Sequence, residues 1–211
     1  MTVRFAFDYR SPFSYLANSQ LAGLGASSIE FQPVDVLRLM EKVNNQPSSK
    51  CSNKLKYAFA DAARWAAIYG LPLQPNRAFF ASPEAPQVAR LLLRGALAAE
   101  AHGVFGPYHA AIFEAMWGTP ADLITTQGRL AVLAAKVLDA QKLWDAAADP
   151  VLNDRLDLNH EHAASAGAFG VPTLFVGGEI FFGNDRLDMV RTRIAALNSR
   201  VDAAAAVGSA P

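Results

Sequence analysis

The apolar positions of this chain follow two spacings, and the switches between them mark its organisation. Thr2 to Asp8 mixes β-branched and aromatic residues with Arg4 and predicts a short strand. Tyr9-Arg10-Ser11-Pro12 ends it, with Pro12 suited to the first turn of a helix, where its missing N–H costs nothing. Phe13, Leu16, Ala17 and Leu21 then lie on one helical face, and Ser28 to Pro33 predicts a second strand. The chain therefore opens β-α-β, a crossover that is ordinarily right-handed.

From Val36 to Pro150 the pattern is mostly helical. Tyr57 to Tyr69 predicts one helix, stopped by Gly70-Leu71-Pro72, and Pro72 to Pro86 reads as an irregular loop. Val88 to His102 is a strong helix. Leu130, Leu133, Ala134, Val137 and Leu138 follow the i, i+3, i+4, i+7, i+8 spacing of a buried helical stripe. Gln141 to Ala148 adds a short segment. Asn153 to Ala168 is helical again, and Gly177-Gly178 joins two short apolar runs, Thr173 to Val176 and Glu179 to Phe182, as a hairpin. Asp185 to Asn198 predicts a last amphipathic helix.

The fold class is thus α/β: a β-α-β and α-β-β-α core split by a large all-helical insertion. The expected division is a discontinuous core of residues 1–35 and 165–200, an insertion over 36–164, and a flexible alanine-rich tail over 201–211. The cleft between core and insertion is the natural place for a pocket.

Charge changes the picture by exclusion. Nineteen basic and nineteen acidic residues cancel, so no bulk attraction for nucleic acid is expected. A single cysteine, Cys51, excludes an intrachain disulfide and a multi-cysteine metal cluster. No leader-like or membrane-spanning apolar run is present, so a cytoplasmic protein is the expectation. His160 and His162 are spaced i, i+2 and diverge on a helix, so no metal site is expected there.

Ser11 at the exit of the first strand, with Val171-Pro172-Thr173 before a late strand, is thioredoxin-like punctuation. Where a redox member would carry Cys-x-x-Cys, the chain reads Ser11-Pro12-Phe13-Ser14, which removes disulfide exchange. A hydroxyl at a helix N-terminus favours negative charge nearby, so it suits a thiolate brought by another molecule. The same serine also serves as an ordinary N-cap.

Phe7 to Ala17, Arg64-Trp65-Ala66, Phe169 to Thr173 and Phe182-Gly183-Asn184-Asp185-Arg186-Leu187, in this order and spacing, resemble the 2-hydroxychromene-2-carboxylate isomerase family. That family belongs with the kappa-class glutathione transferases and the DsbA-like thioredoxin folds. The resemblance spans about Val3 to Leu197. It implies glutathione as cofactor, with sulfur at Ser11, a cis Val171-Pro172 bond whose Val171 clamps the cysteinyl backbone, and the γ-glutamyl end at Phe182, Gly183, Asn184 and Asp185. It implies Lys42, Ser49 and Lys50 as holders of a small aromatic carboxylate substrate, although Ser49 replaces the family's Asn. A homodimer is also implied.

The activity so implied is a glutathione-dependent cis–trans isomerase working by reversible thiolate addition, with Ser11 as the catalytic residue. A kappa-like glutathione S-transferase and a non-catalytic DsbA-like protein are the alternatives. The transferase would leave a stable conjugate. The non-catalytic protein would show no turnover.

Overall fold

The computed structural model describes residues 1–208, with side chains through Arg200. Four strands, β1 (Thr2–Phe7), β2 (Ser28–Pro33), β3 (Thr173–Val176) and β4 (Glu179–Phe182), form one sheet in the order β2-β1-β3-β4. β1 pairs parallel to β2, with Phe5 opposite Phe31, and antiparallel to β3, with Phe5 opposite Leu174. Val3, Phe5, Ala6 and Phe7 are all fully buried, as befits a central strand covered on both faces. Gly177 and Gly178, both at positive φ (56° and 85°), make the two-residue β3–β4 turn.

This topology brings four chain ends to one edge of the sheet: those that follow β1, β2 and β4, and the one that precedes β3. After β1 comes α1 (Pro12–Asn18), and after β2 comes α2 (Val36–Lys42). The helices α3 (Ser52–Tyr69), α4 (Arg77–Ala81), α5 (Ala85–Ala101), α6 (Phe105–Phe113), α7 (Thr126–Leu133), α8 (Ala140–Ala147) and α9 (Val151–Ser165) lead to β3. Helix α10 (Leu187–Gly208) follows the hairpin. The expected tail over 201–211 lies outside the described side chains, and residues 209–211 lie outside the described residues altogether.

One apolar core runs from the sheet into the helices, uniting Phe5, Phe7 and Leu174 with Leu92, Tyr108, Phe113, Trp117 and Trp144. Two expectations are corrected. The stripe from Leu130 to Leu138 is not one helix: α7 stops at Leu133, and Leu138 is fully exposed. The Asp139 carboxylate caps α8 by accepting from Lys142 N–H at 3.0 Å, so the residues just before it turn instead of continuing α7. The segment Pro72 to Pro86 also holds a helix, α4. Asn76 caps it by accepting from Phe79 N–H at 3.0 Å, and burial of Phe79 anchors it.

Candidate functional site

Ser11 is held where β1 hands over to α1. Its backbone is extended, and its Oγ caps the helix by accepting from Ser14 N–H at 3.1 Å. The hydroxyl proton points to the Val171 carbonyl at 3.4 Å, a long bond that a better acceptor would displace. Pro12 has no N–H and that of Ser14 is taken, so among the described residues Phe13 keeps the one uncommitted N–H of this turn.

The Val171–Pro172 bond is cis. Pro172 accepts from Gly183 N–H at 3.0 Å, which ties the start of β3 to the end of β4. Among the described residues the Val171 N–H has no partner. Gly183 has φ +103°, and a Cβ there would run into Asp185 Oδ1, so glycine is required. A 3₁₀ turn over Asn184–Arg186 precedes α10 with no side-chain cap, so Asn184 and Asp185 lie within the turn and not ahead of it. Asn184 is 3% exposed, and its Nδ2 is buried without a partner. A buried amide left so is costly to the fold.

Ser11, Val171, Pro172, Phe182, Gly183, Asn184 and Asp185 all line one cavity of about 1060 Å³. Its opposite wall comes from α2, the 3₁₀ turn Ser48–Lys50 and α3. Of the three residues expected to hold the second substrate, only Ser49 lines it. Lys42 does not line it: α2 turns it toward α9, where it pairs with Glu161 at 2.5 Å. Lys50 does not line the cavity either, whereas Asn53 and Lys54 of α3 do. Helix α3 begins at Ser52, before Tyr57 where the pattern placed its start, and its first turn brings these two residues to the wall. Cys51, exposed just before α3, lies outside the cavity.

Sequence reasoning passed over Arg10. Its Nε bonds Asp8 Oδ1 and Oδ2 at 3.1 and 3.2 Å, and its Nη2 bonds Asp8 Oδ2 at 2.6 Å and Asp35 Oδ1 at 2.5 Å. Burial opposes charge on Arg10, but the two carboxylates outweigh it and raise its pKa. Burial likewise pushes the Asp35 carboxyl up, yet Arg10 overcomes this and holds it below its ordinary value. Asp8, two residues before Arg10, was a local hint. The second carboxylate lies twenty-five residues away and left none.

Behind this edge, Tyr9 is pinned at both ends. Trp117, in a π-helical turn (Glu114–Gly118) that follows α6, donates its Nε1–H to the Tyr9 carbonyl at 2.8 Å. The Tyr9 hydroxyl meets His109 Nδ1 at 2.9 Å, and Asn18 Oδ1 meets Nε2 at 2.9 Å. With Asn18 accepting from Nε2–H, Nδ1 accepts the tyrosine proton, so the imidazole is neutral. Burial among Phe7, Phe31, Phe105 and Phe113 pushes its pKa down to about 3. Trp117 is buried and also lines the cavity.

The DSBA-like thioredoxin domain family matches residues 2–195. A 2-hydroxychromene-2-carboxylate isomerase of Sphingobium xenophagum is 36% identical over 197 residues, covering 90% of this chain and 96% of its own length. Its counterpart from Pseudomonas putida is 32% identical over 208 residues, covering 93% and 96%. The chain belongs to the 2-hydroxychromene-2-carboxylate isomerase family. A solved structure of 2-hydroxychromene-2-carboxylate isomerase superposes with a TM-score of 0.82 at 28% identity, covering 96% of this chain and 98% of that one. Cytosolic disulfide reductase DsbM from Pseudomonas aeruginosa shares the fold, with a TM-score of 0.67 at 18% identity, covering 96% and 99%. This member of the isomerase family has no cysteine over 11–14, so that segment has no thiol to exchange. Among the described residues, no helix is long and apolar enough to cross a membrane.

Proposed function

We propose that the chain is a glutathione-dependent cis–trans isomerase acting on 2-hydroxychromene-2-carboxylate or a similar aromatic ring-cleavage product. The observation that carries this reading is the meeting, in one cavity, of the Ser11 hydroxyl and the Val171 main chain, with Asn184 and Asp185 on the same wall. These groups suit glutathione: a hydroxyl for its sulfur, an open peptide group for its cysteinyl backbone, and the Asp185 carboxylate for the ammonium of its γ-glutamyl end. The relatives' activity as 2-hydroxychromene-2-carboxylate isomerases supports the substrate class.

Glutathione held by Ser11, Val171 and Asp185 would supply a thiolate for reversible addition to a conjugated carbon–carbon double bond, the chemistry that frees the bond to rotate. Ser11 donates its hydroxyl proton toward the sulfur, which favours the charged form, and remains unmodified itself. The Phe13 N–H is a second donor from the same turn. Phe13, Trp117 and Phe182 give the cavity apolar walls that exclude water and face an aromatic ring.

Calorimetry of glutathione binding to wild type and Ser11→Ala, followed by the absorbance of 2-hydroxychromene-2-carboxylate, tests the reading. Binding with glutathione-dependent isomerisation that Ser11→Ala impairs is expected. A stable conjugate in place of returned glutathione would make the protein a transferase. Absence of glutathione binding would sink the proposal.

A further inference from the structure

The four chain ends at the sheet edge lie in a fixed lateral order. Asp35 follows β2, Arg10 and Ser11 follow β1, Val171 and Pro172 precede β3, and Gly183 to Asp185 follow β4. With glutathione running from Ser11 to the β4 end, as proposed above and as the following rests on, the β2 side is left to the second substrate. Arg10 stands on that side.

The guanidinium of Arg10 is only partly used. Nε and Nη2 are committed to Asp8 and Asp35, whereas Nη1 makes no hydrogen bond among the described residues. Arg10 lines the cavity with its side chain 12% exposed, and Nη1 is not among the sealed-off polar atoms. We propose that Nη1 of Arg10 binds the carboxylate of the substrate, which makes Arg10 the residue that selects an aromatic acid.

The surrounding charges permit it. Asp8, Asp35 and Asp157 are matched by Arg10, Arg90 and Arg38 within 4.0 Å contacts, three against three, so the cluster carries no net negative charge to repel an anion. Two carboxylates hold the fork in place before any ligand arrives, so little side-chain freedom is lost on binding. Lys42 is engaged by Glu161, and Lys50 is off the cavity. Lys54 does line it, but as an exposed, hydrated ammonium on a flexible stem it is a weaker and less directional anion site.

trans-Cinnamate and trans-cinnamamide share ring and double bond and differ in charge, so calorimetry with this pair isolates the carboxylate. Wild type is expected to bind cinnamate about tenfold tighter or more, the worth of one charge-assisted bond. Lys54→Ala is expected to keep that ratio. Arg10→Lys, which leaves a cation between Asp8 and Asp35 but removes Nη1, is expected to bring it near one while glutathione binding stays unchanged. Failure of wild type to bind or prefer cinnamate, loss of preference in Lys54→Ala, or its retention in a folded Arg10→Lys would each overturn the assignment. If Arg10→Lys does not fold, the first two ratios decide. Glutathione calorimetry on the same samples reports the cofactor reading separately, since the cinnamate ratio requires neither glutathione nor turnover.

Discussion

The two walls of the cavity are built on different principles. On the sheet side, Asp8, Ser11, Asp35 and Asn184 are buried, and Arg10 nearly so. Their positions are set by backbone leaving four strand ends and by the Arg10 hydrogen bonds. On the α3 side, Leu55, Tyr57 and Phe59 are 37%, 64% and 40% exposed, with Ser49, Asn53 and Lys54 beside them. Groups that must meet a reacting atom need a rigid support, whereas a wall that only encloses an aromatic body tolerates side chains that adjust. On the proposed function, chemistry belongs to the sheet edge, and shape selection to the helix.

Four measurements break or sharpen that contrast. Ser11→Ala should lower kcat/KM for glutathione-dependent isomerisation on the order of 10²–10³-fold, as loss of a preorganised donor does. A loss within a few-fold would mean that the sheet side is no more decisive than the helix.

The buttress behind the sheet side should make folding acid-sensitive. His109 has its pKa at about 3 in the folded protein against 6.5 when free, so the unfolded chain binds the extra proton between those values. Stability is full above pH 6.5 and is lost as pH falls toward 3, by about 2 kcal/mol between pH 7 and pH 5. Urea unfolding at both pH values, for wild type and His109→Leu, checks this; an equal drop in both would exonerate His109.

Gly183→Ala puts a side chain where φ is +103° and Asp185 is in the way. The expected cost is about 1–3 kcal/mol of stability, with weaker glutathione binding, read by urea unfolding and calorimetry. Lys42→Ala, which removes only a half-exposed ion pair with Glu161, should cost under about 1 kcal/mol and leave kcat/KM unchanged. A large loss of activity there would return Lys42 to the site.

The sequence by itself carried the order of the elements, because local periodicity and turn chemistry act over a few residues. β1, the Gly177-Gly178 hairpin and the stop at Gly70 are examples. It also marked Ser11, Val171-Pro172 and 182–185, because each belongs to a short, recognisable string. Where periodicity competed with a cap, it misled: the stripe through Leu138 looked helical, but Asp139 had already claimed the next helix. Only the tertiary structure decided which cation faces the cavity. Lys42 and Lys50 had the right charge in the right segment, yet α2 carried Lys42 away to α9. Arg10 gained its position from Asp35, a partner supplied by the neighbouring strand. A side chain's direction depends on what packs against its element, and that packing joins residues whose separation along the chain leaves no local trace.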